Sequence, residues 1–340
     1  MSSTDLEKQK QKFEKTPLLW SSCRLTLVLM TFGTVFLLFL MRFHLSMGLV
    51  CMTKNGSDIK DYFGNIQVWD KTLQGYILGA FFYGCICTQV CGGYISDRFG
   101  GKVGILVGIG IASVGCILIP PFAKLSPWMV FGTRFIQGMV SGIAIPSVYR
   151  IFSVWTSPEE RATLLGFVFS SVALGTVVNY PFASLMCQLS EEGWALIFYV
   201  PGSLGLLLTI AFYFLVFNEP SQHPRITIEE LKYLQNTCQD TAISKDELNI
   251  PWKLLLTSLP LHVLCISQIS WAWSMYLTTI NLPIFAKDVF DMNVTEIGTE
   301  LLLTKKIFAK NSECTLVVII KLKLSFPLQD YYLHCLTLEC

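Results

Sequence analysis

Seven long apolar stretches constrain this chain more than any other feature of its sequence. They run approximately Leu25 to Met52, Gln74 to Ile95, Val103 to Phe122, Trp128 to Phe152, Leu164 to Leu189, Trp194 to Phe217 and Leu254 to Phe285. A hydrocarbon core about 30 Å thick needs roughly 20 apolar residues per crossing helix, and each stretch is long enough. In lipid the backbone must satisfy its own hydrogen bonds, so such stretches are expected to form helices. With 14% charged residues and a mean hydropathy of +0.53, the chain has the surface of a protein that faces lipid. The expected fold class is therefore an all-α membrane protein.

Lys and Arg collect on the cytoplasmic side of membrane spans, which turns loop charge into a topological ruler. Lys8, Lys10, Lys12, Lys15 and Arg24 precede the first span. Arg98 and Lys102 lie between the second and third, Arg150 and Arg161 between the fourth and fifth, and Arg225, Lys232, Lys245 and Lys253 between the sixth and seventh. The N-terminus and every even-numbered loop are thus expected to be cytoplasmic. The polar, mixed-charge segment 1–24 lacks the pattern of a cleaved signal peptide. Two N-glycosylation patterns, Asn55-Gly56-Ser57 and Asn293-Val294-Thr295, fall on the opposite, lumenal side, where they can be used. A net charge of +1 argues against a nucleic-acid partner. The twelve cysteines, Cys51, Cys91, Cys116 and Cys265 among them, show no paired metal-ligand spacing. Cys85 and Cys87 point to different faces of one helix and read as small apolar side chains.

Three segments carry the functional argument. Gly92 to Lys102 reads GGYISDRFGGK, a glycine-rich reversal with Asp97, Arg98 and Lys102 where helix ends meet water. The fourth span contains Arg134-Phe-Ile-Gln137-Gly138-Met-Val-Ser141-Gly142, with glycines spaced for close helix contact. Arg42 sits about ten residues from the lumenal end of the first span, roughly 15 Å deep at 1.5 Å per residue. A charge at that depth costs about 2.5 to 3.5 kcal/mol on insertion scales, so it marks a candidate functional site.

The loop from Gly93 through Lys102 resembles the G-x-x-x-D-R-x-G-x-K signature of the major facilitator superfamily. The sequence from Trp69 to Tyr94, the fourth-span Arg134-Phe-Ile-Gln137-Gly138 and the Trp155 to Ala162 loop resemble the anion-cation symporter family within it. That family includes sialin, the vesicular glutamate transporters and the sodium-phosphate cotransporters. In the Trp155 to Ala162 loop, Ser157 and Ala162 depart from the family's W-x-P-P-x-E-R-S. The resemblance, strongest to sialin-like and phosphate or organic-anion members, covers roughly Leu25 to Ile297. It implies a cytoplasmic gating role for Asp97, with Arg98 in a salt bridge and Lys102 beside them, and substrate binding by Arg42 and Arg134. Asp97's family partner would lie in the second half of a complete carrier. Two guanidiniums facing one cavity suit a carboxylate or phosphate, which Arg binds bidentately.

Three departures shape the expected substrate. Ser141 stands where sialin and the glutamate transporters have a proton-coupling Glu, Trp271 where the glutamate transporters have a seventh-helix Arg, and Leu78 where they have a second-helix His. Glutamate is therefore disfavoured against sialate, phosphate or urate, with H+ or Na+ open as coupling ion and no cofactor expected. His44 replaces the family's Asn in R-x-N-L; two residues from Arg42 and on another face, it reads as packing in preference to proton handling. Glu14, Leu18 and Leu19 form an acidic dileucine pattern like that of sialin, which implies a sorting adaptor and a lysosomal, vesicular or plasma-membrane location.

The expected organisation is a tail at 1–24, a six-helix bundle at 25–217, a cytoplasmic loop at 218–253 with a helical pattern from Thr227 to Leu234, a seventh span beginning a second bundle at 254–297, and an unmatched tail at 298–340. Its apolar run Thr315 to Ile320 is too short to span. A complete carrier of this type has about twelve helices, so the expectation is a truncated carrier that does not transport alone or acts as a non-transporting partner of a full-length one. Seven spans and Asp97-Arg98-Phe99 also suggest a seven-helix receptor. Its signature, however, follows the third span rather than the second, and its N-terminus lies outside.

Overall fold

The computed structural model describes residues 23–52, 59–60, 66–67, 69–189, 193–239, 257–263, 265–270 and 272–273. Its frame is six long helices: α1 (Cys23–Met52), α2 (Lys71–Phe99), α3 (Gly101–Leu125), α4 (Pro127–Trp155), α5 (Pro158–Leu189) and α6 (Gly193–Leu215). A short helix α7 (Ile228–Gln239) follows in the loop after α6, where the sequence pattern places one. Two residue pairs between α1 and α2, Ile59–Lys60 and Ile66–Gln67, form a minimal antiparallel ladder. Five of the six long helices are apolar and long enough to cross a membrane. The second qualifies as a span bent by 59° between Gln89 and Cys91. That bend lies beside the Gly92-Gly93 pair, the kind of position where helices kink.

The helices outrun the apolar stretches at their cytoplasmic ends. α2 continues four residues past Ile95, to Phe99, and α5 begins at Pro158, with Glu159 and Glu160 in its first turn facing the helix dipole favourably. Prolines open α4 and α5, where a missing N–H is harmless. Of the expected seventh span, the described part is a short apolar helix, Leu259–Ser270.

Backbone approach holds the bundle together, since lipid supplies no hydrophobic drive between helices. α2 packs on α4, α4 on α3, α3 on α6, α6 on α1 and α1 on α5. At the α2–α4 contact, a Cβ at Gly84 would run into the carbonyl of Phe135 and one at Gly138 into the carbonyl of Phe81. Between α2 and α3 the chain reverses through Gly100 at φ +88°, a conformation glycine adopts without strain. A side chain there would also strike Asn218.

The odd-numbered helices run one way through the bundle and the even-numbered ones the other. A Cβ at Gly175 of α5 would meet Phe36 and Leu40 of α1, which fixes the parallel register of those two helices. At their far ends Cys51 and Cys187 form a disulfide, with Cα atoms 6.4 Å apart. The sequence analysis names Cys51 among cysteines without paired metal-ligand spacing and gives it no partner. Its true partner is 136 positions away, on a helix end that the charge ruler places on the same lumenal side.

Two apolar clusters fill the bundle. One, with Leu27, Ile105, Val148, Phe152, Trp155 and Phe212, lies towards the cytoplasmic ends; the other, with Met47, Leu49, Ile109, Ala144 and Phe198, fills the lumenal half. The charged and polar side chains considered next sit along this axis.

Candidate functional site

Arg134 is buried two turns into α4, 1% exposed. Its Nη1 donates to the carbonyl of Met41 at 3.2 Å, and its Nη2 lies 3.3 Å from Nε2 of His44. Both partners belong to α1. Among the described residues no carboxylate pairs with it, and its Nε has no hydrogen-bond partner. Among the described residues this guanidinium thus has no counter-charge.

Arg42, one residue past Met41, turns toward α2. Its guanidinium lies over four rings, Phe81 at 4.7 Å, Phe82 at 5.3 Å, Phe39 at 5.5 Å and Phe43 at 5.9 Å. Ring faces attract a cation, most strongly where water is excluded. The same two arginines line one narrow cleft together with Phe43, Leu45, Ser46, Leu78, Phe81 and Phe82. The structure thus brings together the two residues that the sequence singled out for an anion. Leu78, standing where the resemblance puts a histidine in glutamate carriers, is part of the cleft wall.

His44 was the residue the sequence undervalued. It does leave Arg42's face, but it reaches Arg134 instead. The ring is fully buried, packed edge-on against Phe198 at 4.6 Å, with Cys116 Sγ 3.5 Å from Nε2. A histidine deep in an apolar span is itself a signal, and its i+2 offset from Arg42 hid the long-range contact. Gln137 donates to the carbonyl of Ala112 at 2.9 Å, which ties α4 to α3 beside Arg134. Asn179 of α5, fully buried, has no partner for either end of its amide among the described residues. It lies one turn beyond Gly175, level with the Leu40 to His44 turn of α1.

The cytoplasmic residues follow a different pattern. Asp97 pairs with Arg150 of α4 at 3.2 Å, a partner within this bundle that the sequence analysis did not name for it. Arg98, expected in a salt bridge, pairs with no carboxylate among the described residues; its guanidinium lies 6.0 Å from the ring of Phe99. Lys102 reaches over to α6, where Nζ donates to the carbonyl of Tyr213 at 2.7 Å and sits 4.9 Å from the rings of both Tyr213 and Phe217. A cation is well placed at a helix C-terminus, so Lys102 locks α3 to the end of α6. Arg24, counted above as a topological charge, is fully buried. It pairs with Glu160 at 2.6 Å and with Glu230 of α7 at 3.2 Å. His223 lies beside it, 3.4 Å from Cys23 Sγ, with its ring against Trp155 and Phe217. Burial pushes the His223 ring down from the usual imidazole range. Asn55, Asn293, Glu14, Leu18 and Leu19 lie outside the described residues.

A sequence profile described as Major Facilitator Superfamily matches residues 30–305. The chain belongs to that superfamily. Human sialin is 30% identical over 82% of this chain and 59% of its own length, and sheep sialin is 30% identical over 87% and 62%. Human vesicular glutamate transporter 2 is 31% identical over 68% of this chain and 40% of its own. The chain thus spans about three-fifths of the length of the sialins. Among solved structures, a D-xylose-proton symporter superposes with a TM-score of 0.56 at 15% identity, over 88% of this chain and 70% of that one. The inward-open xylose transporter XylE from E. coli gives 0.52 at 16%, over 68% and 58%. At that identity the likeness is one of fold. Major facilitator proteins are multi-pass membrane proteins, and the family is one of transporters rather than enzymes.

Proposed function

We propose that this chain forms the N-terminal half of a secondary carrier for small anions, with Arg134 and Arg42 as the substrate-binding pair. The observation that carries this reading is Arg134, buried at 1% exposure and held by a carbonyl and an imidazole with no carboxylate among the described residues. An unpaired buried charge is expensive, and an anionic ligand would compensate it bidentately. In carriers built from two bundles the site lies at their interface near the bilayer midplane. The cleft that Arg42 and Arg134 share within this bundle supports such a site.

The substrate class is an organic anion or phosphate, such as sialate, phosphate or urate. Leu78 in the cleft wall, in place of the histidine of glutamate carriers, speaks against glutamate. Similarity to the sialins supports the same class. H+ or Na+ is the coupling ion. Asp97, Arg98 and Lys102 belong to the cytoplasmic gate, with Asp97 engaged by Arg150 in the conformation described. The partners are the small anion, membrane lipid and, through Glu14, Leu18 and Leu19, a sorting adaptor that would direct the protein to lysosomes or vesicles, with the plasma membrane as the default. Asn55 and Asn293 are proposed glycan acceptors.

Uptake tests the reading directly. Proteoliposomes carrying the protein would be offered labelled sialate, phosphate, urate and glutamate under imposed proton and sodium gradients. One bundle alone is expected to give only background flux; joined to a second six-helix bundle, the protein should show saturable uptake of one of the first three, lost in Arg42→Ala and Arg134→Ala proteins that still insert. Full uptake by Arg134→Ala would refute the site.

A further inference from the structure

The His44–Arg134 contact can exist in one protonation state alone, and that state determines what the anion site does when a proton arrives. His44 Nδ1 lies 3.4 Å from the carbonyl of Leu40, which can only accept, so Nδ1 carries the hydrogen. Nε2 faces Nη2 of Arg134 at 3.3 Å, and a guanidinium can only donate, so Nε2 is the bare acceptor. The ring is therefore neutral while this hydrogen bond lasts. Cys116, the other polar group on Nε2, donates to the carbonyl of Phe198 at 3.2 Å and leaves the ring to Arg134.

We propose that His44 is the positioning residue of the anion site and that it binds a proton together with the anion. Neutral, it holds the guanidinium of Arg134 against the first span. A proton taken from hydronium onto Nε2, with release of water, removes the acceptor and leaves two cations face to face. Arg134 then keeps only its bond to the Met41 carbonyl, and the site, with Arg42, carries three positive charges where it had two. An anion in the cleft offsets the added charge, so each ligand favours the other, and by linkage the coupling is the same in either direction.

The groups around the ring fit this scheme. α4 presents Arg134 and α3 presents Cys116; α6 offers the ring and carbonyl of Phe198. α5 places the buried Asn179 and Tyr180 one turn beyond the α1 contact at Gly175. On α1 itself the neighbouring charge is Arg42, which faces the α2 rings. Among the described residues no Asp or Glu is paired with Arg134, so His44 is the titratable base in its reach.

This inference rests on the anion-site reading and is tested by binding rather than uptake. The purified chain in lipid nanodiscs would be titrated with labelled sialate and, separately, with sulfate, both of which keep their charge between about pH 4 and about pH 7.5, a window that extends below the ordinary histidine range. The wild type is expected to bind about tenfold more tightly at the acid end. His44→Asn keeps an oxygen that can accept from Arg134 but takes up no proton, so its affinity should be flat with pH. His44→Ala should bind weakly at both ends, and Arg134→Gln not at all. A wild type whose affinity does not change with pH, or a His44→Asn protein that keeps the full pH response, would overturn the role of His44 while leaving the anion site intact. Absence of wild-type binding to either probe, or undiminished binding by Arg134→Gln, would overturn the anion site and this inference with it.

Discussion

Arg24 and Arg134 are both buried to within 1% of completely, yet the bundle treats them in opposite ways. At the cytoplasmic end, Arg24 is met by two carboxylates from distant parts of the chain, Glu160 at the start of α5 and Glu230 on α7. In the middle of the bundle, Arg134 is given a carbonyl and a neutral ring. A charge that the chain itself neutralises is structural: it pins the first span, the α4–α5 turn and the central loop together. Under the proposed function, a charge that the described residues leave uncompensated takes its counter-charge from a ligand.

The comparison predicts opposite effects of one substitution at the two positions, and this is the largest difference expected. Arg24→Gln leaves Glu230, 3% exposed, and Glu160, about a quarter exposed, facing each other without a cation. Breaking a buried pair this way costs about 3 to 5 kcal/mol, and the exposure of Glu160 puts the loss at the lower end. Arg134→Gln removes an uncompensated charge and should be neutral or stabilising in the absence of ligand. Thermal unfolding of the two variants in the same detergent measures both. A strongly destabilised Arg134→Gln would break the distinction.

Packing around the site comes next in size. Gly138→Ala drives a methyl against the Phe81 carbonyl at the α2–α4 contact and displaces one wall of the cleft. Overpacking of this kind typically costs about 1 to 3 kcal/mol. The expected outcome is a lowered unfolding temperature together with weakened anion binding, whereas a Gly93→Ala control, where a Cβ meets nothing within 4 Å, should show neither.

Within the cytoplasmic cluster, Glu230→Gln should destabilise more than Glu160→Gln, because the more deeply buried carboxylate has less water to replace its partner. Limited proteolysis at α7 would report it. Equal sensitivity of the two variants would show that burial does not set the strength of the cluster.

The smallest effect concerns His223, whose ring lies in the same region. Burial lowers its pKa in the folded chain, so the folded form binds fewer protons than the unfolded form. Its contribution to stability is thus present above the unfolded value of about 6.5 and is lost as pH falls through the folded one. Docking of α7, read by the same proteolysis, should loosen modestly between about pH 7 and pH 5. His223→Gln should flatten that response.

Much of this architecture is legible in the sequence, because lipid forces apolar length to mean helix and loop charge to mean side. The first six spans, the loop helix near Thr227 to Leu234 and the pairing of Arg42 with Arg134 at one cleft all follow from local pattern and resemblance. What remained hidden depends on contacts between distant positions. Arg24 looked like a solvated tail charge because nothing local shows Glu160 and Glu230 closing on it. Cys51 was given no partner because Cys187 is far along the chain, although the topology placed both on one side. His44 looked like packing because helix periodicity compares it with Arg42, two residues away, and not with Arg134 on another helix. Arg150, the partner of Asp97, was read as a loop charge for the same reason.

The central claim, that Arg134 is the anion-binding charge and Arg24 a structural one, is tested most directly by equilibrium binding of labelled sialate to the purified protein in nanodiscs, measured on wild type, Arg134→Gln and an Arg24→Gln protein selected for its folded fraction. The account predicts saturable binding by the wild type and by folded Arg24→Gln, with at least a tenfold loss in Arg134→Gln, which corresponds to about 1.4 kcal/mol. Undiminished binding by Arg134→Gln would contradict it.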